Sequence, residues 1–250
     1  PLVFPGIYHI ITNPRRGSLG YLSVYKHPAT RGEACSGMND RKSSSPTSVI
    51  YVVEHLDPEL GRWSALEYGC TARESCAAGA RLLLTSVPPS LQMPEELSRI
   101  DGLEVEQRNV EEIFAARRPK ICLLDPAATI ELSPADGDQF EIFLFGGILG
   151  DDPPRDRTAE LRKKGYVGRR LGPKQMTTDT AVRVTRMVVQ EKKSLQQIPY
   201  IDFPELYINK HEHVEMPFRY VKGSNGQPIM PDGMIELIKK DADKSLDDLF

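Results

Sequence analysis

The sequence predicts an α/β protein built on a mostly parallel β-sheet. From Val49 onward, short runs of branched and aliphatic residues alternate with segments of helical spacing. The runs are almost continuously apolar, which is typical of parallel strands that helices cover on both faces. With 250 residues, 40% of them hydrophobic, the chain is long enough for one large domain with a substantial core.

The predicted elements alternate regularly along the chain. The predicted strands are VIYVVEH from residue 49, ARLLLTSV, LEVEQ, KICLLDP, FEIFLFGG and YVGRRLG. Helical spacing is found in RWSALEYGCTARESCAAG, PEELSRI, VEEIFAARR, RDRTAELRKKG and TTDTAVRVTRMVVQEKK. Thr177 or Thr178 can cap the last of these helices. Its apolar face runs from Ala181 to Val188 at helical spacing, so we expect it to pack on the sheet.

The two ends of the chain differ in composition from this alternating region. Residues 1–48 are rich in Gly, Pro and Ser, and we predict that they form a mostly disordered extension, although GIYHIITN and LGYLSVY could be short strands. Residues 200–250 are interrupted by prolines and end in an amphipathic helix. We therefore expect a wrapping C-terminal tail that follows a main domain of residues 49–199.

The overall charge and the cysteine pattern exclude several classes of protein. The net charge is −3 and the isoelectric point about 6.0, so no global field favours nucleic acid or an anionic membrane. No C-x-x-C spacing occurs, and no apolar run approaches the roughly 20 residues of a membrane helix. His211 and His213 have no third ligand nearby. We expect a cytoplasmic protein that has no metal site and does not bind membranes.

A glycine-rich turn in FGGILGDDPPRDRT, residues 145–158, is the first candidate binding motif. Gly146, Gly147 and Gly150 follow a predicted strand, where bare backbone can approach a ligand. Asp151 stands where a phosphate-binding loop has lysine, and two prolines interrupt the helix that a dinucleotide fingerprint requires. The turn therefore favours a neutral or cationic ligand that lies close to a carboxylate.

A second turn repeats this arrangement. In RRLGPKQMTTDTAVRVT, residues 169–185, a strand leads through Gly172 into the best predicted helix. Two neighbouring strand-to-helix turns at the carboxyl edge of a parallel sheet usually form a ligand crevice. We expect the two turns to share one ligand.

Together with CLLDPAATIEL before them and MPFRYV after them, these segments resemble the SPOUT, or α/β-knot, methyltransferases. More narrowly, they are similar to the fungal protein arginine methyltransferases of that class, which modify a protein of the small ribosomal subunit. The resemblance implies a Rossmann-like sheet with a C-terminal trefoil knot at about residues 120–190, and S-adenosylmethionine as cofactor. It implies the following cofactor-binding residues: Gly146, Gly147, Ile148, Leu149, Gly150, Leu171, Gly172, Gln175, Met176 and Thr177.

Methylation of arginine requires carboxylates, because a protonated guanidinium is a poor nucleophile. Carboxylates can hydrogen-bond to two nitrogens of the guanidinium, orient one of them for methyl transfer and accept its proton. Glu54, Asp125 and Asp151 each follow a strand end and are the candidate catalytic residues. The candidate substrate-binding residues are Asp152, Asp156 and Arg155, and the family pattern has histidine at position 152. For Asp125 and Asp156, a purely structural role at a turn or a helix start stays open.

The residues themselves leave two alternatives open for the class of substrate. Residues 120–160 are acidic and would attract a basic protein, whereas residues 162–193 are basic and could attract RNA. The family resemblance favours a small-subunit ribosomal protein as substrate, with nucleic acid as second choice. A non-enzymatic module that binds a ribosomal protein is a further alternative. We expect a monomer, since the tail from Tyr200 could cover the surface that a second subunit would use.

Overall fold

The core of the molecule is a six-stranded parallel sheet. The computed structural model describes residues 10–12, 48–55, 57–147, 156, 158–207 and 212–247. The strands are β1 (Ile10–Thr12), β2 (Ile50–Glu54), β3 (Arg81–Thr85), β4 (Leu103–Val105), β5 (Ile121–Leu124), β6 (Ile142–Phe145), β7 (Val167–Arg169), β8 (Tyr200–Asp202), β9 (Glu205–Tyr207), β10 (Glu212–Glu215) and β11 (Arg219–Val221). The α-helices are α1 (Arg62–Ala77), α2 (Glu95–Ser98), α3 (Val110–Ile113), α4 (Asp136–Gln139), α5 (Ala159–Lys163), α6 (Thr178–Val189) and α7 (Met234–Asp247).

The strand order in the large sheet is β4-β3-β2-β6-β5-β7, and every neighbouring pair is parallel. All six strands predicted from the sequence are present, so the predicted α/β class with a mostly parallel sheet is confirmed. Strands β2, β5 and β6 are buried along their whole length, as their continuous apolar sequence indicates. Parallel pairing brings the carboxyl ends of the central strands to one edge.

Successive side chains of the central strands point to opposite faces of the sheet and pack into two apolar layers, one on each face. Tyr51 and Val53 of β2 face α1 and α6, where Val184 and Val188 are fully buried. Residues of opposite orientation, such as Val52, belong to a smaller layer with α3 and α5. The predicted apolar face of α6 therefore packs on the sheet as expected.

Two predicted helices differ in detail from the structure. The segment VEEIFAARR forms the short α3 and then a 3-10 helix, Ala115–Lys120, because Pro119 has no N–H and disfavours α-helical geometry before it. Thr177 occupies the N-cap position of α6, but its hydroxyl donates to the Thr180 hydroxyl rather than accepting from a backbone N–H. The helix start is thus held by other groups.

The C-terminal region contains more regular structure than a wrapping tail would have. Strands β8 and β11 pair antiparallel, and β9 and β10 form a small sheet with β1. Helix α7 packs near Trp63 and Leu66 of α1 in a third apolar cluster. The predicted amphipathic C-terminal helix is confirmed, whereas these three- and four-residue strands are too short for their alternation to be visible in the sequence.

Strand β1 lies within the segment predicted to be mostly disordered. Ile10, Ile11 and Thr12 pair with Val214, His213 and Glu212 of β10. One of the two short strands considered for this segment is therefore present, and the region after residue 200 supplies its partner. Residues 1–9 and 13–47, including LGYLSVY, lie outside the described residues.

None of the helices in the described ranges is both long enough and apolar enough to cross a membrane.

Gly137 provides a test of the packing of α4 on α6. An ideal Cβ at Gly137 would lie 2.5 Å from the backbone oxygen of Val189. Gly137→Ala should therefore force the two helices apart and lower the free energy of unfolding by roughly 1–3 kcal/mol. The measurement is urea denaturation, with Gly61→Ala as the matched control, because a Cβ at Gly61 meets no atom within 4 Å. Equal stabilities of the two variants would contradict this packing.

Candidate functional site

A cavity of about 480 Å³ lies at the carboxyl ends of β5, β6 and β7. Its walls come from the segments that follow these strands and from the first residues of α5 and α6. The lining residues are Leu124, Asp125, Pro126, Ala127, Phe145, Gly146, Gly147, Asp156, Thr158, Arg162, Arg170, Leu171, Gly172, Pro173, Lys174, Gln175, Met176, Thr178 and Ala181. The parallel topology explains the position of the cavity, because ligand crevices form at this edge of open α/β sheets.

The two glycine turns that the sequence singles out meet at this cavity. Gly147 and Gly172 have φ values of 74° and 92°, a conformation that other residues rarely adopt. The Thr178 hydroxyl donates to the Gly147 carbonyl oxygen at 3.2 Å and so joins the first turn to the start of α6. The two turns therefore form one continuous wall.

Most of the predicted cofactor residues that the structure describes line the cavity. These are Gly146, Gly147, Leu171, Gly172, Gln175 and Met176. Thr177 is buried beside them, and the next residue, Thr178, lines the cavity in its place. Ile148, Leu149 and Gly150 lie outside the described residues.

Asp125, Asp156, Thr158 and Arg162 form a charged cluster on one wall of the cavity. Arg162 donates from Nε to Asp125 Oδ2 at 2.5 Å and from Nη2 to Asp125 Oδ1 at 2.8 Å. The same guanidinium donates to both oxygens of Asp156 at 2.9 and 3.0 Å. The Thr158 hydroxyl lies 2.9 Å from Asp125 and 3.0 Å from Asp156. The cavity thus contains two carboxylates held around one guanidinium.

Both carboxylates of this cluster are ionised at neutral pH. Burial opposes ionisation of Asp125, but hydrogen bonds from Arg162, the Ala127 amide and Thr158 outweigh it, so its pKa lies below the usual value. The Arg162 guanidinium also lowers the pKa of Asp156. Asp125 is almost completely buried, whereas half of the Asp156 side chain is exposed. Asp156 is therefore the more accessible of the two acceptors.

Glu54 is not brought to the cavity. Its carboxylate is buried and accepts hydrogen bonds from the Thr85 hydroxyl, from the Ser86 hydroxyl at 2.6 Å and from the Val110 amide at 3.3 Å. These contacts tie the ends of β2 and β3 to the start of α3. The prediction of a catalytic Glu54 followed from its place at a strand end, whereas its side chain lies on the α3 side of the sheet and is not among the residues that line the cavity.

Three further predicted site residues, Asp151, Asp152 and Arg155, lie outside the described residues. Asp156 is described and lines the cavity as a candidate substrate-binding residue. Of the predicted carboxylates, the structure therefore brings together Asp125 and Asp156.

Three charged residues of the cavity wall are not among the predicted site residues. Arg162 is one of several basic residues late in a predicted helix, where cations are expected in any protein. Arg170 and Lys174 lie beside Gly172 in the second turn, and they pair with Glu131 at 3.4 Å and with Asp202 at 3.5 Å. A role for Arg162 at this site could be predicted only if it were known that α5 packs next to the carboxyl end of β5.

Behind the cavity, the start of α6 is held by a buried carboxyl of α1. Glu67 is fully buried, accepts a hydrogen bond from the Trp63 indole at 2.7 Å and faces the backbone N–H groups of Thr178 and Asp179. An uncapped helix start leaves several N–H groups without partners, and the Glu67 carboxyl from another helix lies beside two of them. The position of Thr178 in the cavity wall therefore depends on α1.

Glu67 and Asp179 form a buried carboxyl pair. Burial raises the pKa of Glu67 well above its usual value, and the charge of Asp179 raises it further, against the effect of Trp63 and the N–H groups. Burial also raises the pKa of Asp179 despite its ion pair with Arg183 at 3.2 Å. Oε2 of Glu67 and Oδ1 of Asp179 have no hydrogen-bond donor in the described part of the chain. The pair therefore favours retention of a proton.

In the described ranges, no three His, Cys, Asp or Glu residues lie close enough together to hold a metal ion. His213 is in β10 beside the Tyr207 ring, at a centroid distance of 5.8 Å, and His211 lies outside the described residues.

The fold and the cavity define an α/β protein with a small-molecule crevice at the carboxyl edge of a parallel sheet. Carboxylate side chains and the backbone of glycine turns line this crevice. Residues 50–245 match the family described as SFM1-like protein arginine N-methyltransferases. The chain therefore belongs to this family, as the sequence resemblance indicated.

Individual relatives agree with this assignment. The chain is 43% identical to the protein arginine N-methyltransferase SFM1 of Saccharomyces cerevisiae over 213 residues, which cover 80% of this chain and 99% of that protein. The crystal structure of the yeast arginine methyltransferase SFM1 complexed with SAM has a TM-score of 0.72 and 42% identity, with 78% of this chain and 91% of the other covered. The SAH complex has a TM-score of 0.70 and 42% identity, with coverage of 75% and 93%.

Removal of Arg162 should destabilise the protein through Asp125. Arg162→Ala leaves a buried carboxylate without its main donor, so the free energy of unfolding should fall by roughly 1–3 kcal/mol at pH 7. The lowered pKa of Asp125 stabilises the wild type above the usual carboxyl pKa and is lost as pH falls through the lowered value. The difference between variant and wild type should therefore shrink in acid.

Denaturant unfolding at pH 7 and at pH 3–4 measures this effect of Arg162. Lys163→Ala is the matched control, since its ion pair with Glu160 is exposed and should contribute less than about 1 kcal/mol. A loss of stability in Arg162→Ala that is equal at both pH values would contradict the role assigned to Asp125.

Glu67→Gln should flatten the dependence of stability on pH. A raised pKa means that the folded state binds more protons than the unfolded state, so the free energy of unfolding falls as pH rises above the usual carboxyl pKa of about 4. The glutamine side chain cannot ionise, and its amide can donate to Asp179 Oδ1. The variant should be at least as stable as the wild type at pH 9, measured by urea denaturation from pH 5 to 9. An unchanged slope, as expected for the exposed control Glu95→Gln, would exclude a titrating Glu67.

Proposed function

We propose that this protein transfers a methyl group from S-adenosylmethionine to an arginine side chain of a small-subunit ribosomal protein, with monomethylation as the product. The observation that carries the proposal is the cavity itself, in which two glycine turns face a pair of carboxylates, in a chain of the arginine methyltransferase family. The yeast relative has been crystallised with SAM and with SAH, which supports the choice of cofactor.

The residues present fit this cofactor. A volume of about 480 Å³ lies within the range of about 300–1,000 Å³ that is typical of small-molecule cavities. The side chains of Leu124, Phe145, Leu171 and Met176 provide an apolar lining for a flat base. When bound, S-adenosylmethionine supplies a methyl group on a cationic sulfur, and the ionised carboxylates of the cavity wall are compatible with that charge.

The acceptor arginine must lose a proton as its nitrogen is methylated. A carboxylate that grips the guanidinium fork fixes one nitrogen in line for transfer and takes the proton that leaves it. Asp156 suits this role because it faces the cavity and half of its side chain is accessible. We assign the same role to Asp151, with Asp152 and Arg155 as substrate contacts, and this assignment rests on their sequence positions.

Asp125 acts in this scheme as a positioning residue. Its Oδ1 accepts from Arg162, the Ala127 amide and Thr158, and its Oδ2 accepts from Arg162. These four contacts occupy both oxygens of Asp125, and its side chain is almost completely buried, so an acceptor guanidinium cannot reach it as it can reach Asp156. Asp125 fixes Arg162, and Arg162 in turn fixes Asp156 at the cavity wall.

The remaining proposals concern the whole chain. We place a trefoil knot within about residues 120–190, supported by the contacts of Arg170 with Ile130 and Leu132 in the segment after β5. Division into a main domain of 49–199 and a C-terminal region of 200–250 is supported by the separate apolar cluster of the latter. Coverage of α1 by α7 supports a monomer, and we assign the protein to the cytoplasm.

The direct test is transfer of labelled methyl from S-adenosylmethionine into small ribosomal subunits from cells that lack this protein. We expect label that protease removes and that is recovered as methylarginine. Label that nuclease removes would move the function to RNA. Binding of small-subunit proteins without transfer would favour the non-enzymatic alternative.

Asp156→Asn should lower the rate of methyl transfer by about tenfold or more, because the amide can neither accept the proton nor balance the guanidinium charge. Its affinity for S-adenosylmethionine, measured by calorimetry, should change little. Asp138→Asn is the matched control, because Asp138 is exposed and pairs with Lys192 away from the cavity. Equal rates for the two variants would remove Asp156 from the mechanism.

A further inference from the structure

Phe203 combines two features that do not favour folding. It lies between β8 and β9 with a φ of 52°, in the left-handed region that strains a residue with a bulky side chain. The residue is 41% exposed, so burial of its side chain offsets that strain only in part. A large aromatic residue held in this way is better explained by a contact with another molecule than by stability.

The ring contacts a residue that lines the cavity. Lys174, which lines the cavity, places its Nζ 4.8 Å from the centroid of the Phe203 ring. Lys174 also pairs with Asp202 at 3.5 Å, and Asp202 accepts from Arg219 at 2.6 and 3.0 Å. We call these four residues the rim cluster.

The rim cluster is fixed to the second glycine turn. The Arg219 amide donates to the Gln175 carbonyl oxygen at 2.8 Å, and the Phe203 amide donates to the Phe218 carbonyl oxygen at 3.0 Å. The C-terminal strands therefore hold an exposed aromatic ring next to a turn that lines the site. A ligand that extends out of the cavity past Lys174 would meet this ring.

We propose that Phe203 binds the polypeptide of the methyl acceptor beside the target arginine, through cation–π and apolar contact with a neighbouring Lys or Arg side chain. This inference rests on the proposed function, since it requires an acceptor that is a basic protein. The ring already holds the Lys174 ammonium, which shows that its face suits a cation.

The cations at the rim are paired with carboxylates, which reduces their attraction for the phosphate groups of RNA. Lys174 and Arg219 are both paired with Asp202, and Arg170 on the same cavity wall is paired with Glu131. Hydrogen bonds from Arg219 lower the pKa of Asp202, so this carboxylate is ionised at neutral pH. Phosphate groups would meet paired cations and an ionised carboxylate, which weakens their binding.

The test compares Phe203→Ala with Tyr207→Ala in the methyl-transfer assay, with small-subunit proteins as acceptor. Tyr207 is a matched control, because it is a more exposed aromatic residue of β9 in the same region and contacts Glu205 and His213. Phe203→Ala should raise the KM for the protein acceptor about three- to fivefold, the scale of an exposed cation–π contact, with kcat and cofactor affinity unchanged. Tyr207→Ala should change none of these, and Phe203→Tyr should retain the wild-type KM.

Stability gives an independent readout. Phe203→Gly removes the ring and the strain together, so its Tm should equal or exceed that of the wild type while its KM rises as in Phe203→Ala. A KM that is unchanged in both variants, or a loss of cofactor affinity that accounts for the change, overturns the proposal. An effect of Phe203→Ala on binding of small-subunit RNA instead of protein overturns it in favour of base stacking. Absence of methyl transfer to protein by the wild type overturns the proposed function and this inference together.

Discussion

The attachment of the start of α6 is the constraint on which the rest of the site depends. Three independent elements meet there: Glu67 of α1 faces its first N–H groups, Thr178 bonds to the Gly147 carbonyl, and the Arg219 strand pairs with the turn before it. Because these contacts come from distant parts of the chain, the cavity forms only when the sheet, α1 and the C-terminal strands are all in place. Burial of ionisable groups at this point carries a desolvation cost that offsets part of the stabilisation from these contacts.

Charge balance within the cavity depends on a similar long-range contact. One guanidinium, that of Arg162, binds two carboxylates, and it comes from a five-residue helix that only the fold brings near β5. Asp125 is thereby kept ionised although it is buried, and Asp156 is held where solvent and a substrate can reach it. A site for a cationic acceptor can in this way present negative charge without an unpaired buried carboxylate.

The C-terminal region contacts both α1 and the wall of the cavity. It covers α1 with α7, and its strands β8 and β11 reach the second glycine turn at Arg219. The exposed Phe203 lies at this junction. Cofactor and acceptor would then be held by different parts of the chain, the former by the sheet edge and the latter in part by the region after residue 200.

The sequence by itself determined the α/β class, the six central strands, the amphipathic α6 and the two glycine turns, because continuous apolar runs, helical spacing and glycine position are local properties. It also determined the family, through the motifs around residues 145–158 and 169–185. Only the tertiary structure decided that Glu54 lies away from the cavity while Arg162 and Thr158 lie in it. The end of a strand indicates an edge of the sheet but not the face to which a side chain points. Ion pairs between residues far apart in sequence depend on where each helix packs against the sheet.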